Sequence, residues 1–373
     1  MKVLQAIHSY KPYLPHFEEK YKIDKEKISF KELKGLLLKD RFYASHLLSP
    51  VLNIETNGFY TMWDYPLLQQ KWAEERGWKE KDLKKILFAQ IEDFRPDVFY
   101  NCSPIRFDAE QIKTQIDRKI IKMCWFASPE TGHIDFSVYK TRLTNLPLDI
   151  KSNKEVGFRS DLFQPAHDPI MDEYAKSKKR DTDIFFYGQY HSSYFKRRNE
   201  LIDLLIDFKS KSDFNIELAL QYNLEKKHHY PFSRPTRFKK LFGAKIINPS
   251  LDVRKNTISP LYGLDLYEKI ASSKIVFNAA VDFSGQHKVN MRNFETVGLG
   301  AHLLSDEGIY PDFFKEGTNF STYSDFNNFK SKVNYLLEHT AERESMALAG
   351  NEMVKKKYSK EKQWQRFQEI ASV

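Results

Sequence analysis

Cysteine is nearly absent from this chain of 373 residues: there are 2, Cys102 and Cys124, and they form no CxxC pair. Two such thiols make neither a disulfide framework nor a cysteine-built zinc site, and they fit a reducing compartment. Long apolar runs are missing as well. No stretch approaches the ~20 apolar residues that span a bilayer. The opening MKVLQAIHSYKPYLP turns polar after Ile7, too early for the core of a secretory signal. These features predict a soluble, cytoplasmic protein. There is no low-complexity tract and no internal repeat. A hydrophobic share of 41% with 14% aromatics excludes a disordered or collagen-like chain. At roughly 100–200 residues per domain, the length predicts two domains.

Acids are outnumbered: 59 Lys+Arg face 50 Asp+Glu, a net charge of +9. Most of the excess lies in residues 176–245, where 16 bases oppose 8 acids. Such a patch favours a polyanion, a phosphorylated ligand or an anionic membrane surface. Its last part, KKHHYPFSRPTRFKKLFGAK (226–245), interleaves bases with Tyr230, Phe232, Phe238, Leu241 and Phe242. That mixture suits peripheral docking on the anionic inner face of a membrane, or nucleic acid with stacked bases. An ordinary surface loop with a short amphipathic helix has the same composition.

Apolar runs alternate with helical periodicity. Val3–Ile7, 97–101 and 119–127 read as strands, and 28–40, 80–93 and 108–117 as helices. KDLKKILFAQIEDF sets Leu83, Ile86, Leu87, Gln90 and Ile91 on one helical face. A second cycle follows: a strand at 183–188 stopped by Gly188, a helix at 194–208, and a strand at 215–221. Then come a helix at 264–273, a strand at 274–280, a helix closing at Gly300, a strand at 301–306, and helices at 325–338 and 340–357. This rhythm predicts an α/β protein with two Rossmann-like doubly wound domains. The first spans 1–165 and the second 166–359, with 360–373 a last helix packed back on the first. Facing sheets of this kind place a ligand cleft at the carboxyl ends of their strands.

The chemistry concentrates in LDLYEKIASSKIVFNAAVDFSGQHKVNMRNFETVGLGAHLLSDEG (264–308). A strand, a polar loop with Gly285 and a helix beginning near Asn290 set backbone N–H groups and Arg292 at a helix N-terminus, a natural diphosphate site. Glu295, one turn on, can accept hydrogen bonds from ribose hydroxyls. Each has a plainer reading: an acid that complements the helix dipole, and a structural ion pair.

N-x-R-x-F-E (290–295) followed by V-G-L-G-A-x-L-L-S-D (297–306) resembles the C-terminal domain of GT-B glycosyltransferases of the "group 1" type, closest to the CgeB-like spore maturation branch. DIFFYGQY (183–190) with KRR (196–198), LYEKIASSKIVFN (266–278) and AGNEMVKKKYS (349–359) resemble other parts of that domain, in order. The resemblance covers about 180–360. It implies a nucleotide-diphosphate sugar as co-substrate, a UDP-sugar first, and a carbohydrate or lipid-linked acceptor in surface polysaccharide or glycoconjugate synthesis. By motif position, Glu295 would bind ribose, and Arg292 with Asn290 the diphosphate or sugar. Gly188 would let the backbone approach the phosphates, and Arg197 or Arg198 would neutralise them. His287 and Lys288 lie in the same loop. In related retaining enzymes a second glutamate precedes the ribose glutamate by eight residues; here His287 stands there, so retention of configuration is not inherited.

Transfer also needs a group that assists the acceptor hydroxyl. After the strand ending in Ala127 come Glu130 and His133; after the first strand comes His8. All three sit where a parallel sheet presents its site. Asp181-Thr182-Asp183 matches a metal-binding D-x-D but precedes its strand, so no catalytic metal is implied, and no other cofactor. Two alternatives stay open: a nucleic-acid-acting protein, whether a DNA glycosyltransferase or a basic binding module, and a GT-B sugar-nucleotide epimerase.

Overall fold

The computed structural model describes residues 1–10, 12–128, 135–155, 157–176, 179–190, 195–222 and 249–373. The chain forms two compact units. Unit 1 comprises Met1–Pro169, Tyr262–Leu264 and Val354–Val373, and unit 2 comprises Ile170–Leu261 and Asp265–Met353.

Unit 1 is built on β1 (Val3–Ile7), β2 (Gly58–Met62), β3 (Val98–Asn101), β4 (Ile121–Trp125), β5 (Thr141–Thr144) and β6 (Ser160–Leu162). The strands lie in the order β2-β1-β3-β4-β5-β6, every pair parallel. β1 is buried along its whole length, as a strand covered by helices on both faces must be. The helix Lys360–Ser372 belongs to this unit. Its Phe367 ring lies 5.0 Å from Tyr100 and 6.0 Å from Phe163. At its first turn the Lys360 ammonium donates to the carbonyls of Ala44 (2.6 Å) and Leu47 (2.8 Å).

Unit 2 holds β7 (Thr182–Tyr190), β8 (Ile216–Tyr222), β9 (Ser273–Asn278), β10 (His302–Asp306) and β11 (Ser321–Tyr323), in the order β11-β10-β9-β7-β8. These pairs are also all parallel. Its core carries an aromatic cluster in which Phe277 lies 4.6 Å from Phe329 and 5.5 Å from Phe186. One sequence expectation needs correction: Gly188 does not stop its strand. β7 runs on to Tyr190, with Gly188 paired to Leu220 in the neighbouring strand.

Both sheets reverse their strand order once, between β1 and β3 in unit 1 and between β7 and β9 in unit 2. At such a reversal the connections leave to opposite faces and open a crevice beyond the carboxyl ends of the two strands. The side chains at these two points are the ones placed to meet a ligand.

Candidate functional site

In unit 2 the reversal is spanned by Arg292. Asn290 starts the helix Met291–Gly298, its side-chain oxygen accepting from the Asn293 N–H at 3.3 Å. This cap fixes the first turn and directs Arg292 inward. Its guanidinium donates to the Tyr187 carbonyl of β7 and to Asn278 Oδ1 of β9. It also lies over the Phe186 and Tyr187 rings, 5.2 and 4.7 Å from their centroids. Burial lowers the Arg292 pKa, and Tyr187 and Glu295 oppose that. A buried guanidinium held by neutral oxygens and aromatic faces keeps much of its positive field for an incoming anion.

Gly188 is what makes this possible. A Cβ there would stand 2.8 Å from Arg292 Nη2, so the missing side chain makes room for the guanidinium. Asn278 completes the junction. Its Nδ2 donates to Asn293 Oδ1 (2.9 Å) and Ser305 Oγ (2.8 Å), and its Oδ1 accepts from Asn290 Nδ2 (3.1 Å) as well as from Arg292. Glu295 is buried, and its Oε2 accepts from the Tyr187 hydroxyl at 2.8 Å.

The two neighbouring arginines have different settings. Arg197 pairs with Asp306, at the end of β10, and its own backbone N–H donates to Asp282 at 3.1 Å. Asp306 is buried, and also accepts from the Ala280 N–H (2.5 Å) and the Tyr323 hydroxyl (2.9 Å). Arg198 is not solvated, as a helix face beside a basic patch would suggest. It is buried, donates to the Ala279 carbonyl at 3.1 Å, and has its pKa lowered to about 9 by burial and by the positive charge of Arg292.

Lys288 donates to the Gly285 carbonyl at 2.6 Å, and burial lowers its pKa. His287 lies in the same loop, whose backbone is tied to the chain after β10: Lys288 N–H donates to Ile309 O at 2.9 Å, and Ile309 N–H to Gln286 O at 2.7 Å. Gly308 permits this approach, since a Cβ there would meet Gln286 O at 2.4 Å. Arg197, Arg198, Lys288 and Arg292 thus converge on one corner, balanced in part by Asp282 and Asp306.

In unit 1, His8 follows β1 and its Nδ1 shares a hydrogen bond with Ser103 Oγ, after β3, at 2.8 Å. Burial lowers the His8 pKa, and Asp64 and the Cys102 backbone oppose that. Asp64, after β2, accepts from the Ser9 N–H at 2.7 Å and the Ser9 hydroxyl at 3.2 Å. Glu130, His133 and the segment 226–245 lie outside the described residues. Sequence reasoning missed Tyr187, Asn278, Asp306, Ser103 and Asp64. For Asn278, Asp306, Ser103 and Asp64 the one available signal was a polar residue at or just past the end of an apolar strand; Tyr187, inside β7, had none.

Residues 234–369 match a family model described as glycosyl transferase-like. Among solved structures, HepE of Anabaena in complex with UDP-glucose aligns with a TM-score of 0.59 at 11% identity, covering 100% of this chain and 99% of that one. A glycosyltransferase from Rickettsia africae aligns with a TM-score of 0.52 at 10% identity, covering 99% and 97%. No curated protein sequence matches. The likeness to these structures shows the fold, that of the GT-B glycosyltransferases. Among the described residues, no helix is long and apolar enough to cross a membrane, and no group of three or more His, Cys, Asp or Glu side chains is placed to hold a metal ion.

Proposed function

We propose that the protein moves a sugar from a nucleotide-diphosphate donor to an acceptor hydroxyl, with the donor held in unit 2. The observation that carries this is Arg292, buried across the β7/β9 reversal with Arg197, Arg198 and Lys288 around it. Breaking the bond between the anomeric carbon and the diphosphate oxygen leaves negative charge on that diphosphate. Fixed cations in a desolvated corner stabilise that charge more than they stabilise the bound donor. A carboxylate has about four acceptor positions, so Glu295 can serve a ribose while it holds Tyr187. HepE, on the same fold, is solved with UDP-glucose and with UDP, which supports a uridine nucleotide as the first to test.

The acceptor oxygen attacks the anomeric carbon and loses its proton. The candidate to take it is His8, kept neutral by burial and oriented by Ser103. A carbohydrate or lipid-linked acceptor, the surface-polysaccharide setting, peripheral membrane docking through 226–245 and the CgeB-like branch belong to this proposal on the strength of the sequence alone.

The test is turnover. The protein is incubated with UDP-, GDP- and CDP-sugars and a panel of glycan acceptors, and free nucleotide and glycosylated product are measured. One nucleotide sugar supports transfer, and His8→Ala lowers kcat by about 10²–10⁴-fold, the usual contribution of a general base. Absence of transfer with every donor overturns the reading.

A further inference from the structure

Unit 1 contains a groove of about 580 Å³ that the donor chemistry does not use. Its polar lining comes from Ser9 after β1, Asp64 after β2, Glu18 on the helix Tyr13–Lys20, and Gln70 on the helix Pro66–Glu74. Leu14 and Leu67 supply apolar faces. We infer that this groove is the acceptor subsite and that it takes a neutral, hydroxyl-rich ring, the terminal sugar of a glycan, while excluding anionic groups. The inference rests on the glycosyl-transfer reading and names the acceptor class for it.

The lining combines the apolar and polar chemistry that a sugar needs. Its aliphatic side chains suit the C–H face of a pyranose, and its carboxylates accept from hydroxyls more strongly than neutral groups do. Glu18 and Asp64 are both anchored. Glu18 Oε1 accepts from the Tyr65 hydroxyl at 2.9 Å, and Glu18 Oε2 pairs with Lys25 at 2.6 Å. Asp64 is held by the backbone and side chain of Ser9. Groups fixed in this way need little reordering when a ligand arrives.

Charge decides the class. Of the lining residues, Glu18 and Asp64 are acidic and Lys25 is basic, and Lys25 is already committed to Glu18, so the groove carries net negative charge. Arg106, which acts on His8, does not line it. A phosphate or uronate would face Asp64 with only Lys25, already paired with Glu18, to meet it, and like charges brought together oppose binding. Burial already raises the Asp64 pKa, so this corner is poorly suited to more negative charge. Asp64 is also the group whose charge acts most on His8. A hydroxyl bound at Asp64 is therefore near the residue that would take its proton.

The test uses the full-length protein with UDP present and reads saturation-transfer NMR. The neutral probes are methyl glucoside, methyl galactoside, methyl mannoside and methyl N-acetylglucosaminide; the anionic ones are glucuronate and a glucose phosphate. At least one neutral glycoside binds, and both anions bind about ten-fold more weakly or not at all. Glu18→Gln and Asp64→Asn each weaken the neutral probe by about ten-fold, the loss of one charge-assisted hydrogen bond. Gln70→Ala, which removes a neutral rather than a charged partner, weakens it by less. UDP binding, measured separately by calorimetry, stays within about two-fold in all three variants, because none of the three residues is among the unit 2 groups proposed to hold the nucleotide. Failure of every glycoside to bind, anions binding as well as neutral sugars, or carboxamide variants binding unchanged would overturn the inference. Failure of UDP to bind wild type overturns the donor reading instead, and the glycoside result still decides this one.

Discussion

The Tyr187 hydroxyl donates to Glu295 Oε2 at 2.8 Å, joining β7 to the helix Met291–Gly298 across 108 positions of sequence. Burial and the Glu295 charge hold the phenol pKa well above its ordinary value, so it remains a donor throughout the physiological range. The carboxylate is therefore already oriented for the ribose contact proposed for it. Tyr187→Phe keeps the ring over Arg292 and removes only the donor. Its UDP affinity, read by titration calorimetry, falls by about 1 kcal/mol, or roughly five-fold, the worth of one orienting hydrogen bond.

Gly188→Ala inserts a methyl group 2.8 Å from Arg292 Nη2. The guanidinium cannot retreat without losing the Tyr187 carbonyl or Asn278. Overpacking of this kind costs about 1–3 kcal/mol. The denaturation midpoint falls accordingly, and UDP affinity falls with it. A control at Gly35, where nothing lies within 4 Å of the added Cβ, leaves UDP affinity unchanged.

Asp306 is buried with Arg197, the Ala280 N–H and the Tyr323 hydroxyl around it. Asp306→Ala removes the shared acceptor of all three and costs about 3 kcal/mol or more, in the range for breaking a buried charge pair. Arg197→Ala costs less, because Arg197 is 43% exposed and solvent screens its half of the pair. Chemical denaturation of the two variants side by side measures the difference.

The strand-and-helix rhythm was legible because covered parallel strands are short apolar runs and their helices keep a 3.6-residue period. VLQAI, VFYN and SKIVFN could be read as strands for this reason. TRLT and SDL could not: they are short, polar and at one end of the sheet in unit 1. Gly188 was misread as a stop because glycine disfavours strands locally, whereas here a side chain 104 positions later needs the space. The motif residues Asn290, Arg292 and Glu295 were found, but not their partners. Asn278, Tyr187 and Asp306 matter through contacts that only the folded sheet creates.

Lys360 predicts a pH dependence. It is buried against the Ala44 and Leu47 carbonyls and Gln363 Oε1, and burial lowers its pKa to about 7, far below its value in an unfolded chain. Between about pH 7 and pH 10 the unfolded state then binds more protons than the folded state, so this group makes stability rise with pH across that window. Below about pH 7 both states are protonated and the contribution is flat at its lowest. Lys360→Met removes the slope. It also lowers stability overall by about 1–3 kcal/mol, since the carbonyls lose their donor. Urea titrations at several values between pH 6.5 and 9.5 separate the two effects.

In the proposed function, unit 2 holds a nucleotide through Arg292 and Glu295. The most direct measurement is the thermal midpoint of wild type and Glu295→Ala with UDP, GDP and CDP. A nucleotide at 100 times its Kd adds about 2.7 kcal/mol of stability. An upward shift for one nucleotide is expected in wild type, and its loss in Glu295→Ala. No shift in wild type with any nucleotide, or an equal shift in the variant, would contradict it.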